Sequence, residues 1–128
     1  MSTLKVTNIQ ATGETASRAV SGVAAAWVNF DGTGTIASRD SMNVSSLTDY
    51  NTGQYGVTFS SSFSSNDYAI SAISTWNVGS SSSTTTNLNG DPGYTPTASL
   101  YNTLSYRTND NASFDPAFVL GTVHGDLA

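Results

Sequence analysis

Hydrophobic and polar residues alternate in short runs along most of the chain, and turn-forming residues separate these runs. Residues 23–30 form the most hydrophobic stretch, with apolar side chains on both faces. Residues 31–34 read Asp-Gly-Thr-Gly and predict a hairpin turn, because Gly accepts the backbone angles that a tight turn requires. Residues 35–39 would be the returning strand. Short alternating runs bounded by turns are typical of β-strands.

The same pattern continues to the end of the sequence. Further strands are predicted at residues 42–47, 54–59, 68–78, 99–108 and 118–124. The clearest is 54–59, because the turn at 51–53 precedes it and Tyr55, Val57 and Phe59 share one face. No window carries the i, i+3, i+4, i+7 apolar stripe and caps of a helix. The sequence therefore predicts an all-β fold, a compact sandwich or jelly-roll-like domain of short antiparallel strands.

The chain divides into a short N-terminal arm and one β domain. Residues 1–21 are predicted to be an arm or attachment segment, with a short alternating strand at 4–10 and a linker or single helical turn at 14–21. Residues 22–128 are predicted to be the β domain. The candidate attachment residues of the arm are Leu4, Val6 and Ile9.

Composition supports strands and turns rather than helices. Charged residues make up only 10% of the chain, against roughly 25% in ordinary soluble domains, and Ser, Thr, Asn and Gly replace them. The uncharged, Ser/Thr-rich residues 79–90 are either a flexible loop or the edge of a β-ribbon.

Charge and residue usage exclude several classes of function. The net charge is −5 and the four basic residues are scattered, so we expect neither nucleic-acid binding, which needs a clustered basic patch, nor attraction to anionic membranes. The chain has no Cys, which excludes disulfides and thiolate metal sites. The longest apolar run, residues 23–28, is too short to insert into a membrane. No signal peptide is expected at the start.

The sequence gives little support for a catalytic or metal-binding site. His124 is the only histidine, and although Asp126 is two residues further on, no nucleophile elbow accompanies them. A surface or interface histidine is the favoured interpretation. Most Asp residues fall at predicted turns, where an Asp side chain usually caps its own backbone. Asn-rich residues 87–91 and 109–111 could offer oxygens to Ca²⁺, but plain turns explain them better. We therefore expect no catalytic residue, no metal ligand and no cofactor.

Several blocks of the sequence resemble one known family. Residues 26–36 (AWVNFDGTGTI), 43–49 (NVSSLTD), 51–59 (NTGQYGVTF) and 66–69 (NDYA) follow in the same order as a module in tail-fibre-like structural proteins of marine and other environmental bacteriophages. The opening, residues 3–10 (TLKVTNIQ), is similar to the start of many phage appendage proteins.

The resemblance implies a role in a virion, assembled in the cytoplasm of the bacterial host. It implies a non-enzymatic tail fibre or tail appendage that forms a homotrimer and contacts other virion proteins, such as a tail adaptor, fibre or capsid protein, with host-surface recognition as a further family expectation. The structural residues of the matched motif are Trp27, Asn29, Phe30, Gly32 and Gly34, of which Trp27 and Phe30 are expected in the core. A capsid decoration or cement protein is the first alternative.

A glycan-binding module is the second alternative, because aromatic rings beside amides and hydroxyls are suited to stacking on sugar rings. The aromatic residues beside polar segments are Trp76, Tyr94, Tyr101 and Tyr106. Packing in the core or at a subunit interface is the favoured interpretation of these four side chains.

Overall fold

The computed structural model describes residues 2–9, 12, 18–19, 23–75, 84–88, 95–107, 110 and 112–128. Within these ranges the chain forms β-strands and no helix. The ten strands are β1 (Asn8–Ile9), β2 (Arg18–Ala19), β3 (Ala24–Asp31), β4 (Ala37–Met42), β5 (Val44–Asn51), β6 (Gln54–Phe59), β7 (Ala69–Thr75), β8 (Thr84–Leu88), β9 (Leu100–Arg107) and β10 (Phe118–His124).

Two four-stranded antiparallel sheets make up the β domain, and they form a small β-sandwich. The front sheet has the order β4-β3-β10-β7 and the back sheet has the order β5-β6-β9-β8, while β1 and β2 pair with each other in the N-terminal segment. The predicted all-β fold is confirmed. The central strand pairs, β3 with β10 and β6 with β9, join segments that are far apart in the sequence.

Both predicted hairpins form. The turn between β3 and β4 contains Gly34 with φ of 61°, and the turn between β5 and β6 contains Gly53 with φ of 73°. These left-handed backbone angles favour glycine because it has no Cβ. Residues 18–19 form a strand where a linker or helical turn was expected. Residues 84–88 form the edge strand of the back sheet, which favours the β-edge alternative over the flexible loop for this part of 79–90.

A single residue carries the chain from the front sheet to the back sheet. The predicted strand at 42–47 is interrupted at Asn43, which has φ of 57°; Asn tolerates this conformation better than most residues. Its side-chain amide donates to the Ala25 and Ser61 carbonyl oxygens at 3.2 and 3.1 Å, and Asn43 Oδ1 accepts a hydrogen bond from the Ser61 backbone N–H at 2.7 Å. These contacts fix the corner at which β4 ends and β5 begins.

The core lies between the inner faces of the two sheets and is rich in aromatic rings. Its buried members are Ala26, Val28, Phe30, Tyr55, Val57, Phe59, Phe63, Tyr101, Val119 and Val123. Phe30 from the front sheet meets Tyr55 from the back sheet edge to face, with ring centroids 5.2 Å apart. Phe59 packs in the same way on Phe63, at 4.7 Å. Such edge-to-face pairs add to the stabilisation from buried area.

Trp27 lies on the outer face of the front sheet, so its expected place in the core was wrong. Side chains alternate between the two faces of a strand, and Trp27 is three residues from Phe30, which puts the two rings on opposite faces. The inner positions of β3 go to Ala26, Val28 and Phe30, which are 2% exposed or less. Trp27 remains half-buried on the other side.

Candidate functional site

The four aromatic residues considered for sugar binding do not form one described surface. Trp76 and Tyr94 lie outside the described residues. Tyr101 is 1% exposed in the core, so it offers no face to a sugar ring. Tyr106 is half-buried five positions further along β9, on the opposite face of that strand.

The family-motif residues divide between packing, turn and surface. Phe30 packs in the core, and Gly34 supplies the left-handed turn position. Gly32 allows a close approach: a Cβ at this position would lie 2.5 Å from Tyr55 Oη and 2.9 Å from the Pro116 carbonyl oxygen. Trp27 and Asn29 face outward from the front sheet.

Trp27 and Asn29 belong to a groove of about 440 Å³ on the outer face of the front sheet. The side chains that line it on this face come from β3, β7 and β10: Trp27, Asn29, Ser71, Ile73, Leu120 and Thr122. None of these side chains is charged. We call this surface the front groove.

Strand register explains why these side chains meet. Trp27 is opposite Thr122, and Thr122 is opposite Ser71; in the next row of the same face, Asn29 is opposite Leu120, and Leu120 is opposite Ile73. Directly opposed residues of an antiparallel pair share a face and stand close together.

The apolar surface of the front groove is partly open to water. Ile73 is 59% exposed, and Met42, which is opposite Trp27 on the other side of β3, is 41% exposed. Clustered exposed apolar side chains on a soluble domain mark interaction sites.

Asn29 places an unpartnered acceptor at the front groove. Its Oδ1 atom is buried and has no hydrogen-bond partner within the described part of the chain. Leaving a buried polar atom without a partner costs about 1–3 kcal/mol. A donor in the groove would recover this cost once the Asn29 amide turned its Oδ1 toward the groove.

A charged cluster lies at one end of the same face, where its side chains form an ion pair and hydrogen bonds with one another. Arg39 donates to Asp31 Oδ2 and to the Ala117 carbonyl oxygen, both at 2.7 Å, and its guanidinium carbon lies 4.2 Å from the centre of the Phe118 ring. The hydroxyl and the backbone N–H of Thr33 donate to Asp31 Oδ1 at 2.6 and 3.0 Å. The Thr33 side-chain and backbone hydrogen bonds, aided by the charge of Arg39, lower the pKa of Asp31.

The N-terminal arm is a second exposed apolar feature. Residues 2–9 are exposed throughout. Its apolar side chains, Leu4, Val6 and Ile9, are 85%, 46% and 43% exposed. The ladder between β1 and β2 pairs Ile9 with Arg18, so the arm includes a two-stranded ladder of its own.

The structure describes His124 and several of the turn Asp residues. His124 is half-buried at the end of β10, and the Asp126 carbonyl oxygen accepts a hydrogen bond from the Ser64 backbone N–H at 2.8 Å. Asp31 and Asp110 accept from the backbone two residues ahead, as predicted for turn Asp residues. Among the described residues there is no group of three or more potential metal ligands. In that part of the chain, no helix is long and apolar enough to cross a membrane.

Sequence reasoning missed a buried polar link between the sheets. Tyr55 Oη lies 3.0 Å from the Gly32 carbonyl oxygen and 2.9 Å from Asp115 Oδ1, and Asp115 Oδ1 also accepts from the Gly53 backbone N–H at 2.7 Å. Burial, aided by the Asp115 hydrogen bond, raises the pKa of Tyr55 well above its ordinary value. Asp115 is therefore a structural residue that joins distant turns.

Leu120 and Ile73 were also missed as surface residues. A signal for Ile73 was visible, because Ile70 and Ile73 cannot share one face of an alternating strand. No comparable signal marked Leu120, whose surroundings depend on the pairing of β10 with two distant strands.

Comparisons with known proteins identify no relative of this chain. No protein-family model matches the sequence, and the searches of curated proteins and of solved structures found no significant match.

Proposed function

We propose that this chain is a non-enzymatic structural component of a bacteriophage virion, a tail-fibre or tail-appendage module that assembles as a homotrimer with other virion proteins. The observation that carries the proposal is the open apolar face of the front sheet, where Ile73 is 59% exposed beside Trp27 and Leu120. A domain that works by assembly buries such a face against a neighbour.

The phage assignment is supported by the resemblance of residues 26–36. This block forms β3 and the turn that follows it, so it contributes both to the core and to the front groove. Recognition of the host surface is the further function that the resemblance implies.

Self-association is supported by the low charge of the chain and by an uncharged strand at the edge of the front sheet. Only 10% of the residues are charged, and β7 is an edge strand of the front sheet that carries no charged residue. Uncharged edges and apolar faces are covered by association in many β proteins.

A capsid decoration protein is the second candidate, and the exposed arm favours it. Leu4 is 85% exposed, and an exposed, mostly polar arm of this kind is suited to reaching across a neighbouring subunit of a lattice.

Cryo-electron microscopy of virions from the genome that encodes this chain tests the proposal. We expect three-fold density with the shape of this sandwich on the tail or its adaptor. Density distributed over the head lattice would replace the tail assignment with the decoration role. Virions that lack the chain altogether would overturn the structural role.

A further inference from the structure

We propose that the N-terminal arm of one copy of this chain binds in the front groove of a second copy. The inference rests on the proposed self-assembly but not on the phage assignment. Both surfaces belong to the chain, and both remain exposed in the single copy, with Leu4 at 85% and Ile73 at 59%. A second copy would cover both at once.

The alternation of apolar side chains in the arm suits the groove. In an extended segment, alternate side chains point the same way and lie roughly 6.6 Å apart. Leu4 and Val6 are so spaced and can face the groove together, with Lys5 pointing away. The groove offers apolar side chains on adjacent strands, where Leu120 of β10 is opposite Ile73 of β7.

Charge and hydrogen bonding also favour binding of the arm in the front groove. Lys5 is the only charged residue in 2–9, and because it points away from the groove, its charge can stay in water while Leu4 and Val6 contact uncharged side chains. Asn29 Oδ1 is a buried acceptor without a partner in the described chain, and an extended arm presents backbone N–H donors along its length. One arm would thus supply apolar side chains and a donor to a groove whose lining is uncharged.

An arm-in-groove contact is heterologous, because different surfaces of the two copies meet. Heterologous contacts generate rings when the rotation between copies closes. A closed ring of three copies would bury three arms in three grooves, and such a ring is a homotrimer.

A mixing experiment separates this arrangement from face-to-face packing. The arm variant carries Leu4→Asp and Val6→Asp, and the groove variant carries Ile73→Asp, a site exposed enough for the fold to tolerate it. Val23→Asp is the matched control, since Val23 is 48% exposed and does not line the groove. Masses are measured by light scattering, and circular dichroism checks folding.

We expect the wild type and the Val23 variant to be oligomers and both test variants to be monomers. Mixing the two variants should restore a heteromer, because the intact arms of the groove variant fit the intact grooves of the arm variant. A monomeric wild type, an arm variant that keeps its mass, or a mixture that remains monomeric would overturn the proposal. A monomeric wild type that loses adsorption to host cells on Ile73→Asp would assign the groove to a host-surface ligand instead.

Cross-linking provides a second readout, because the chain has no native Cys. Val6→Cys protein mixed with Ile73→Cys protein should form a disulfide-linked pair under mild oxidation. Thr33→Cys, in the exposed turn after β3, replaces Ile73→Cys as the control and should give little heterodimer. Equal yields from the two mixtures would contradict arm binding in the groove. This test uses purified protein, so its outcome is independent of where the chain lies in a virion.

Discussion

The outer faces of the two sheets differ in which side chains they expose to water. On the front sheet, the apolar residues Ile73 and Met42 are 59% and 41% exposed. On the back sheet, the outward-facing Gln54, Asn102 and Leu104 are only 6–8% exposed. The chain therefore covers a partly polar face and leaves an apolar one open. The polarity of the side chains does not explain this difference in exposure. It depends on which other side chains pack over each face.

Close packing is visible on the back sheet. A Cβ at Gly56, in the middle of β6, would lie 2.9 Å from the ring of Tyr50 and 3.2 Å from Asn102 Oδ1. A glycine inside a strand often marks such a close approach. The front groove has no equivalent cover from the described residues, which is why we infer an intermolecular one.

The largest expected effect is a difference in stability loss between substitutions on the inner and outer faces of β3. Phe30→Ala should lower the free energy of unfolding by about 3–5 kcal/mol, because it empties a fully buried ring position. Trp27→Ala, on the outer face of β3, should cost much less stability but should weaken self-association. Urea unfolding and light scattering measure the two effects. Similar losses of stability from both variants would mean that the outer face is as well packed as the core.

The next comparison is between the two hairpin turns. Gly34→Ala should cost roughly 1–2 kcal/mol, since φ is 61° and the space around its Cβ is open. Gly53→Ala should cost more, by roughly 1–3 kcal/mol from overpacking, because its Cβ would lie 2.6 Å from the Phe114 carbonyl oxygen and 2.8 Å from that of Ser105. Thermal and urea unfolding of the two variants would show this order; equal costs would argue against close packing around the back hairpin.

Alkaline pH should weaken the attachment of the back sheet to the front sheet. Burial raises the pKa of Tyr101 and that of Tyr55, and raises the pKa of Tyr68 to about 12. The folded state then holds these protons more tightly than the unfolded state, so the contribution of these tyrosines to stability is constant below about pH 10 and falls as the pH rises further. Unfolding midpoints across this range, with tyrosinate absorbance, measure the effect.

Tyr55→Phe is the control for the alkaline prediction. It removes the hydroxyl that contacts the Gly32 carbonyl oxygen and Asp115, so it should cost about 1–2 kcal/mol at neutral pH. It should also make the alkaline decline shallower. A variant with an unchanged decline would show that Tyr55 does not contribute to it.

The smallest expected effect concerns the charged end of the front sheet. Asp31→Asn removes the ion pair with Arg39, in which both side chains are 33% exposed. Pairs this exposed contribute about 0–1 kcal/mol. Because the hydrogen bonds from Thr33 and, to a smaller extent, the charge of Arg39 lower the pKa of Asp31 from 3.8, the contribution of the Asp31 carboxylate is present above that pH and is lost as the pH falls below it. Acid unfolding of the two proteins should therefore converge, and a gap that persists at low pH would assign the effect to something other than this charge.

Local patterns predicted the elements well where turn and alternation agreed. The predicted strands at 54–59 and 118–124 have the bounds observed for β6 and β10, and the turn at Gly53 lies where the Asn-Thr-Gly motif placed it. The predicted strand at 35–39 begins later and runs on to Met42. Asn43 then breaks what the pattern indicated as one strand, because a corner between sheets has no distinct hydrophobic signal.

The sequence by itself determined the all-β class, the two hairpins and the aromatic positions that could fill a core. These features depend on turn residues and on side-chain alternation, which are local. Only the tertiary structure decided that Phe30 and Tyr101 pack inside while Trp27 faces out, and that Ile73 and Leu120 share one surface with Trp27. That choice depends on the register between strands distant in the sequence and on which face another segment covers.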